Sequence, residues 1–169
     1  TLSKISALGF STNDVQKIEE GYLVEGDMIL TDKNLNETPN SPVLRIANVE
    51  QYRTTNLVNA GGGRNITVSA NTTNAGFLVA LDAAIARYNA ENLSLTFSRV
   101  ASGGNISISI VNTRQYIASA GFPSNGNPYN SIKYAKAYTS YSLNFMTTVL
   151  THEMGHCIGF RHTDYMDRS

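Results

Sequence analysis

The chain has 169 residues, which is the size of one ordinary domain. Its 13 Lys and Arg residues balance its 13 Asp and Glu residues, so no net charge favours nucleic acid or an anionic membrane as a partner. No stretch approaches the roughly 18 consecutive apolar residues that a membrane-spanning helix needs. Only 15% of the residues are charged, and this neutral polar composition is common in secreted bacterial proteins. We therefore expect a bacterial extracellular protein.

The N-terminal residues form one predicted unit. STNDVQKIEE, residues 11–20, begins with residues that cap helices and predicts a short helix. GYLVEGDMILT, residues 21–31, alternates in the manner of an extended segment. KNLNETPNSP, residues 33–42, contains two prolines and predicts a linker or exposed loop. We place a domain boundary between residues 38 and 54, which gives a first unit of residues 1–50.

The second unit, residues 51–169, contains both strands and helices. Phe77, Leu81 and Ile85 recur every four residues, which predicts an amphipathic helix. The elements expected before the last helix are, in chain order, a strand at 65–69, a helix at 71–92, strands at 95–101 and 105–111 joined by the turn at Gly103 and Gly104, an extended piece at 118–122 and a strand at 132–138. Strands and helices thus follow each other along this unit.

The last predicted element is a helix with the sequence SYSLNFMTTVLTHEMGHCIG, residues 140–159. Apolar side chains surround it almost completely, so we expect this helix to be buried. His152 and His156 stand four residues apart and therefore share one face of it. This spacing lets one nitrogen of each imidazole reach the same metal ion at about 2.0–2.1 Å.

Three further positions extend the pattern towards catalysis by a metal ion. Glu153 lies one step round the helix, where a carboxylate suits a general base that takes a proton from water. Gly159 offers the positive φ that ends a helix, so that His162 turns back to the same ion as a third ligand. Three imidazoles leave one position of a tetrahedral Zn²⁺ open, which is typical of a catalytic site.

These residues, in the order HExxHxxGxxH, resemble the zinc signature of the metzincin metallopeptidases. The longer sequence HEMGHCIGFRHTDY is most similar to bacterial members near the astacins and the dual-action HEIGH peptidases. The resemblance implies an α+β fold: a twisted, mostly parallel sheet with an antiparallel edge strand, a backing helix and a buried active-site helix. It also implies a zinc-dependent endopeptidase acting on protein or peptide substrates, with residues 118–122 as the edge strand that pairs with extended substrate.

A second resemblance concerns VEGDMIL near the N-terminus. The pro-segments of astacins contain a short F-x-G-D element whose aspartate binds the zinc, and Gly26 and Asp27 match it, with Val24 in place of Phe. This implies that residues 1–50 are an inhibitory pro-segment and that Asp27 is a fourth metal ligand in a latent form. The alternative is an ordinary Gly–Asp turn between two extended pieces.

The chain departs from the family pattern after the third histidine. Astacins usually carry Glu there, whereas this chain has Thr163. Asp164 either supports a ligand histidine by a hydrogen bond or belongs to a surface turn. Met166 follows His162 too closely to be the methionine turn that lies beneath the zinc in metzincins. We therefore expect residues 51–169 to be the N-terminal part of a catalytic domain whose C-terminal subdomain is missing.

Two alternatives remain open at the level of sequence. The single cysteine, Cys157, is either a small buried apolar side chain or half of a disulfide whose partner lies beyond Ser169, on the missing piece or on a second chain that carries it. The function is either peptide hydrolysis or that of a catalytically silent zinc-binding or adhesive module that Asp27 blocks permanently. Glu153 favours hydrolysis, because a purely structural zinc site has no use for that carboxylate.

Overall fold

The computed structural model describes residues 1–36, 54 and 56–162. We call residues 1–36 the N-terminal segment and the remaining described residues the main part. The N-terminal segment contains α1 (Leu2–Ala7), β1 (Gln16–Ile18), β2 (Gly21–Val24), β3 (Met28–Leu30) and α2 (Asp32–Asn36). The main part contains β4 (Arg64–Ala70), α3 (Ala75–Ala90), β5 (Leu95–Arg99), β6 (Ile106–Val111), β7 (Ala118–Gly121), β8 (Ser131–Ala135), a short 3-10 helix (Lys136–Tyr138) and α4 (Leu143–Ile158).

Within the described residues the strands form one sheet in the order β1-β2-β3-β7-β8-β6-β4-β5. In the main part β5, β4, β6 and β8 run parallel, and β7 is antiparallel to β8. The predicted α+β class with a mostly parallel sheet and an antiparallel strand is confirmed. The strands on either side of the Gly103 turn are not hairpin partners, because β5 and β6 pair with opposite edges of β4.

The helices α3 and α4 pack against each other and against the sheet in one core. Phe77 and Leu81 of α3 are fully buried, as their periodicity predicts. Asn74 caps α3 and Ser142 caps α4, each by accepting a hydrogen bond from a backbone N–H of the first turn. Tyr88 ties the two helices together, since its hydroxyl donates to the carbonyl oxygen of Thr151 at 2.8 Å. No helix in the described part of the chain has the length and apolar character that crossing a membrane requires.

The prediction of a helix at residues 11–20 is wrong. A turn occupies its first half, where Asp14 has φ 55° and the Ser11 hydroxyl accepts from the backbone N–H of Asn13. Its second half forms β1, which pairs with β2 in antiparallel register, Gln16 opposite Leu23. The backbone hydrogen bonds of a partner strand thus override the local helix signal. The predicted linker begins as the short helix α2, and its remaining residues lie outside the described ranges.

The N-terminal segment joins the sheet of the main part along one strand. Within the main part β7 and β5 are the two edge strands, and β7 is the antiparallel one, as predicted for residues 118–122. The free side of β7 is occupied by β3, which pairs with it in parallel, Met28 opposite Ala120 and Ile29 opposite Gly121. The backbone N–H of Ala120 also donates to the carbonyl oxygen of Asp27 at 3.1 Å. The edge on which an extended peptide would pair is therefore covered by the chain itself.

The end of α4 depends on a glycine, which gives a stability prediction. Gly159 has φ 116°, and a Cβ there would lie 2.7 Å from the Leu57 side chain. We expect Gly159→Ala to lower the free energy of unfolding by about 2–4 kcal/mol, since left-handed backbone strain and overpacking add. Gly103→Ala is the control, because Gly103 also has positive φ but open space around it. Urea denaturation showing equal losses for both variants would contradict the packing contribution.

Candidate metal centre

The tip of the β2–β3 hairpin reaches the end of helix α4. Its three loop residues are Glu25, Gly26 and Asp27, which lie between the paired residues Val24 and Met28. Glu25 and Gly26 both have positive φ, 51° and 94°. This sharp reversal is energetically cheap for glycine and uncommon for glutamate. It presents two carboxylates, one at each end of the loop.

Three histidines converge beside this hairpin tip. His152 and His156 lie on α4, and their Nε2 atoms are 3.0 Å apart. The helix ends at Gly159, whose N–H donates back to the carbonyl oxygens of Gly155 and His156. The chain then turns, so that Nε2 of His162 lies 3.1 Å from Nε2 of His152. The glycine turn therefore brings the third histidine to the other two, as the spacing predicts.

Asp27 completes the cluster from the N-terminal segment. Its Oδ2 lies 3.2 Å from Nε2 of both His152 and His162, and its Oδ1 lies 3.9 Å from Nε2 of His156. The ligand atoms of these four residues all lie within 4.8 Å of one another. Nitrogen ligands of a tetrahedral zinc ion at 2.0–2.1 Å stand roughly 3.3 Å apart, so this donor set fits zinc.

Burial and hydrogen bonding prepare the histidines for a metal. Nδ1 of His156 donates to the carbonyl oxygen of Phe160 at 2.8 Å, which leaves the lone pair of Nε2 facing the cluster. Burial, together with the neighbouring His152, lowers the pKa of His156 to about 4 and keeps its imidazole neutral. Burial acts to raise the pKa of Asp27, but hydrogen bonds from His152 and His162 bring it below its usual range. His156 therefore presents a neutral nitrogen and Asp27 an ionised carboxylate, which are the protonation states that binding of a metal cation requires.

Glu153 lies on the inner side of α4. It is 2% exposed, and its Oε2 is buried without a hydrogen-bond partner among the described residues. Burial, and secondly the charge of Asp27, raises the pKa of Glu153 well above its usual value. The side chain of His152, in contrast, is 43% exposed, so the cluster opens to solvent on that side. Glu153 is thus a buried acid on the same helix that carries His152 and His156.

The sequence matches the model of one protein family. The model for dual-action HEIGH metallo-peptidases matches residues 22–169, which is most of the chain. The chain belongs to this family. The resemblance carried by HEMGHCIGFRH is thereby confirmed, and zinc, which suits the cluster of imidazoles and one carboxylate, is the cofactor of this HEIGH-family chain.

The HEIGH-family chain is also similar to several solved structures. One structure of myroilysin is 23% identical, with a TM-score of 0.44, and the alignment covers 59% of this chain and 49% of that one. A crystal structure of myroilysin gives 16% identity, a TM-score of 0.42 and coverages of 72% and 58%. High choriolytic enzyme 1 is a hatching enzyme zinc-protease from the medaka fish Oryzias latipes. Its structure is 17% identical, with a TM-score of 0.39, and the alignment covers 62% of this chain and 48% of that one. The chain therefore spans about half the length of these structures, and no curated protein matches it.

Sequence reasoning missed two charged residues of this HEIGH-family site. Oε2 of Glu25 lies 3.6 Å from Nδ1 of His162, and Oε1 of Glu25 lies 3.4 Å from Nη2 of Arg161. Burial acts to raise the pKa of Glu25, but His162, the backbone N–H of Ser11 and Arg161 together lower it. The only available signal was the pair of carboxylates around Gly26, because the partners stand more than 130 residues away in sequence.

The other predicted positions divide between the core and the undescribed end of the chain. Cys157 is fully buried in the main core and is a free thiol within the described ranges, in agreement with the apolar alternative. Thr163, Asp164 and Met166 lie outside the described residues, and so does the predicted domain boundary except for position 54. The expectations attached to them stay predictions.

Proposed function

We propose that this chain is part of a zinc-dependent endopeptidase in which His152, His156 and His162 hold the metal and Glu153 is the general base. The observation that carries the proposal is the convergence of three imidazoles from one helix and its following turn, with the buried Glu153 on that same helix. Membership of a metallo-peptidase family supports it. The substrates are proteins or peptides outside the cell.

The residues divide the work of hydrolysis between them. A zinc ion, when bound, would supply Lewis acidity to polarise a peptide carbonyl and lower the pKa of water. The three imidazoles would hold it through Nε2, and substrate would take the place where Asp27 stands in this structure. Burial and, secondly, the charge of Asp27 raise the pKa of Glu153. Departure of Asp27 removes that charge, and a bound cation would lower the pKa further, so that Glu153 is ionised in the active form. The carboxylate of Glu153 then accepts a proton from the attacking water and later delivers it to the nitrogen of the leaving amine. The peptide C–N bond breaks as that nitrogen leaves.

We further propose that the described structure is the latent form and that residues 1–50 are an inhibitory pro-segment. Two contacts support this. Asp27 lies at the position where a fourth ligand would bind, with an oxygen 3.1 Å from Nε2 of His162. Strand β3 covers the edge of β7, on which an extended substrate would pair. The segment thus blocks both the metal and the substrate-binding strand.

The second candidate is a catalytically silent zinc-binding or adhesive module. The same contact of Asp27 with the histidines favours it, because a permanent fourth ligand closes the zinc site. Glu153 distinguishes the two candidates, since it is a buried carboxylic acid without a structural partner among the described residues. Burying such a group without a hydrogen-bond partner costs stability, and a catalytic role accounts for its presence where a silent module does not.

The test measures zinc content and proteolysis on the natural polypeptide that contains these residues. We expect one zinc ion per chain, and cleavage of casein or a fluorogenic peptide that appears after limited trypsin treatment and disappears with a chelator. One zinc ion per chain without cleavage of any peptide would favour the silent module. Absence of zinc from protein refolded with the metal would contradict the ligand assignment.

A further inference from the structure

The zinc site has a supporting carboxylate in the N-terminal segment. We propose that Glu25 is a positioning residue for His162, so that the segment supplies both the ligand Asp27 and the group that orients a ligand of the main part. The inference rests on the ligand set proposed above and is independent of peptidase activity. Its consequence is that zinc retention and docking of the segment stabilise each other.

The imidazole of His162 lies between two carboxylates of the same hairpin. Its Nδ1 faces Oε2 of Glu25 at 3.6 Å, and its Nε2 faces Oδ1 of Asp27 at 3.1 Å. The side chains of Glu25 and His162 are 0% and 4% exposed, so water does not compete for this contact. A carboxylate beside Nδ1 favours the tautomer that carries its proton there and leaves the Nε2 lone pair for the metal.

The orientation of the Glu25 carboxylate is itself fixed from the other side. Its Oε1 accepts from the backbone N–H of Ser11 at 3.1 Å and lies 3.4 Å from Nη2 of Arg161. Arg161 also donates to the carbonyl oxygen of Gly9 at 2.7 Å, and its guanidinium stacks 3.9 Å from the ring centre of Phe10. Oε1 of Glu25 is thus held by Ser11 and Arg161, and Oε2 faces the imidazole of His162.

The two buried histidines differ in where their support comes from. Nδ1 of His156 donates to the carbonyl oxygen of Phe160, which belongs to the turn after its own helix. His162 contacts Glu25 and Asp27, which both belong to the N-terminal segment. When the segment leaves, the contact of His156 with Phe160 stays, whereas these two contacts of His162 are lost. Zinc binding and segment docking are therefore reciprocally coupled.

The backbone at Glu25 is consistent with a specific role. Its φ of 51° lies in the left-handed region, where Asn, Asp or Gly is the cheaper residue. Such conformations persist where the surroundings over-determine them, and they cluster at functional sites. Here the contacts with His162, Ser11 and Arg161 determine the position of the glutamate side chain.

The test measures the zinc dissociation constant of the full chain by competition with a chelator. We expect Glu25→Gly, which suits the positive φ and removes the carboxylate, to raise this constant about 10- to 100-fold. Glu25→Gln should recover part of the loss, because its amide oxygen keeps a partial negative charge beside Nδ1 of His162. Glu20→Gln is the matched control, since Glu20 pairs with Lys133 and also joins the segment to the main part without contacting a histidine. It should change the constant less than about twofold.

A double-mutant cycle separates positioning from general loosening of the segment. In a His162→Ala background, Glu25→Gly should have almost no further effect on the zinc constant. An equal effect in both backgrounds, or no effect in either, overturns the inference. A cobalt-substituted chain gives a second readout, since its visible absorption spectrum should change in Glu25→Gln and not in Glu20→Gln. If His162→Ala leaves zinc affinity unchanged, the ligand assignment fails as well, whereas a zinc-binding chain without proteolysis contradicts the peptidase proposal alone.

Discussion

Glu153→Gln is expected to keep zinc bound and to lower peptide hydrolysis by about 10²- to 10⁴-fold, the range that a general base contributes. Gln has the shape of Glu but does not accept the proton of the attacking water. The position is 2% exposed and packed on the inner side of α4, so an isosteric residue preserves the helix that carries His152 and His156. Glu153→Ala should lose activity to a similar extent.

The measurement compares kcat/KM for a fluorogenic peptide with zinc content and thermal unfolding of the same preparation. Glu91→Gln, at the exposed end of α3, makes the same change of charge away from the site and should retain full activity. Retained hydrolysis in Glu153→Gln would remove this residue from the mechanism. Loss of zinc together with activity would instead assign it a structural role at the metal centre.

Asp27→Ala is expected to abolish most of the latency of the full chain. The carboxylate of Asp27 contacts Nε2 of His152 and His162 at 3.2 Å, and hydrogen bonds of charged groups contribute about 1.5–3 kcal/mol. Docking of the N-terminal segment should therefore weaken by roughly 10- to 100-fold. Pairing of β3 with β7 and the contacts of Arg161 remain, so the segment still docks transiently.

Latency is measured as hydrolysis before trypsin treatment and as the rate at which trypsin releases activity. Asp32→Ala is the control, because Asp32 is an exposed aspartate of the same segment in the first turn of α2. It should behave as the parent chain does. If Asp27→Ala is no more readily active than the parent, Asp27 is an ordinary turn residue and the latch does not exist.

The elements that the sequence predicted well are those whose signal is local. Phe77, Leu81 and Ile85 repeat at the helical period, and the structure places all three in the main core as part of α3. Strand β4 and helix α4 also lie where the pattern predicted them. The helix expected at residues 11–20 failed because the pairing of β1 with β2 is decided by a partner strand and not by the segment's own propensity.

The order of strands in the sheet illustrates the same limit. Nothing in the sequence of residues 118–122 shows that β3 lies against them, because that pairing joins segments about ninety positions apart and leaves no periodic signal in either. The sequence predicted an edge strand at residues 118–122, and β7 is one of the two edge strands of the main part taken alone. Tertiary structure decided that the chain covers this edge itself.

The metal centre likewise combines contacts that local spacing determines with contacts between distant segments. His152, His156 and His162 converge because a helix and a glycine turn fix their relation over eleven residues, so the sequence alone determined that three imidazoles meet. Asp27 joins them across 125 residues, where only its likeness to a pro-segment element suggested a role. The carboxylate of Glu25 beside His162 had no such signal, since a contact between distant segments is set by the packing of the hairpin against the helix end. The spacing of residues along the sequence determines which side chains meet within a helix and its following turn. Contacts between distant segments, in contrast, form only when the whole chain folds.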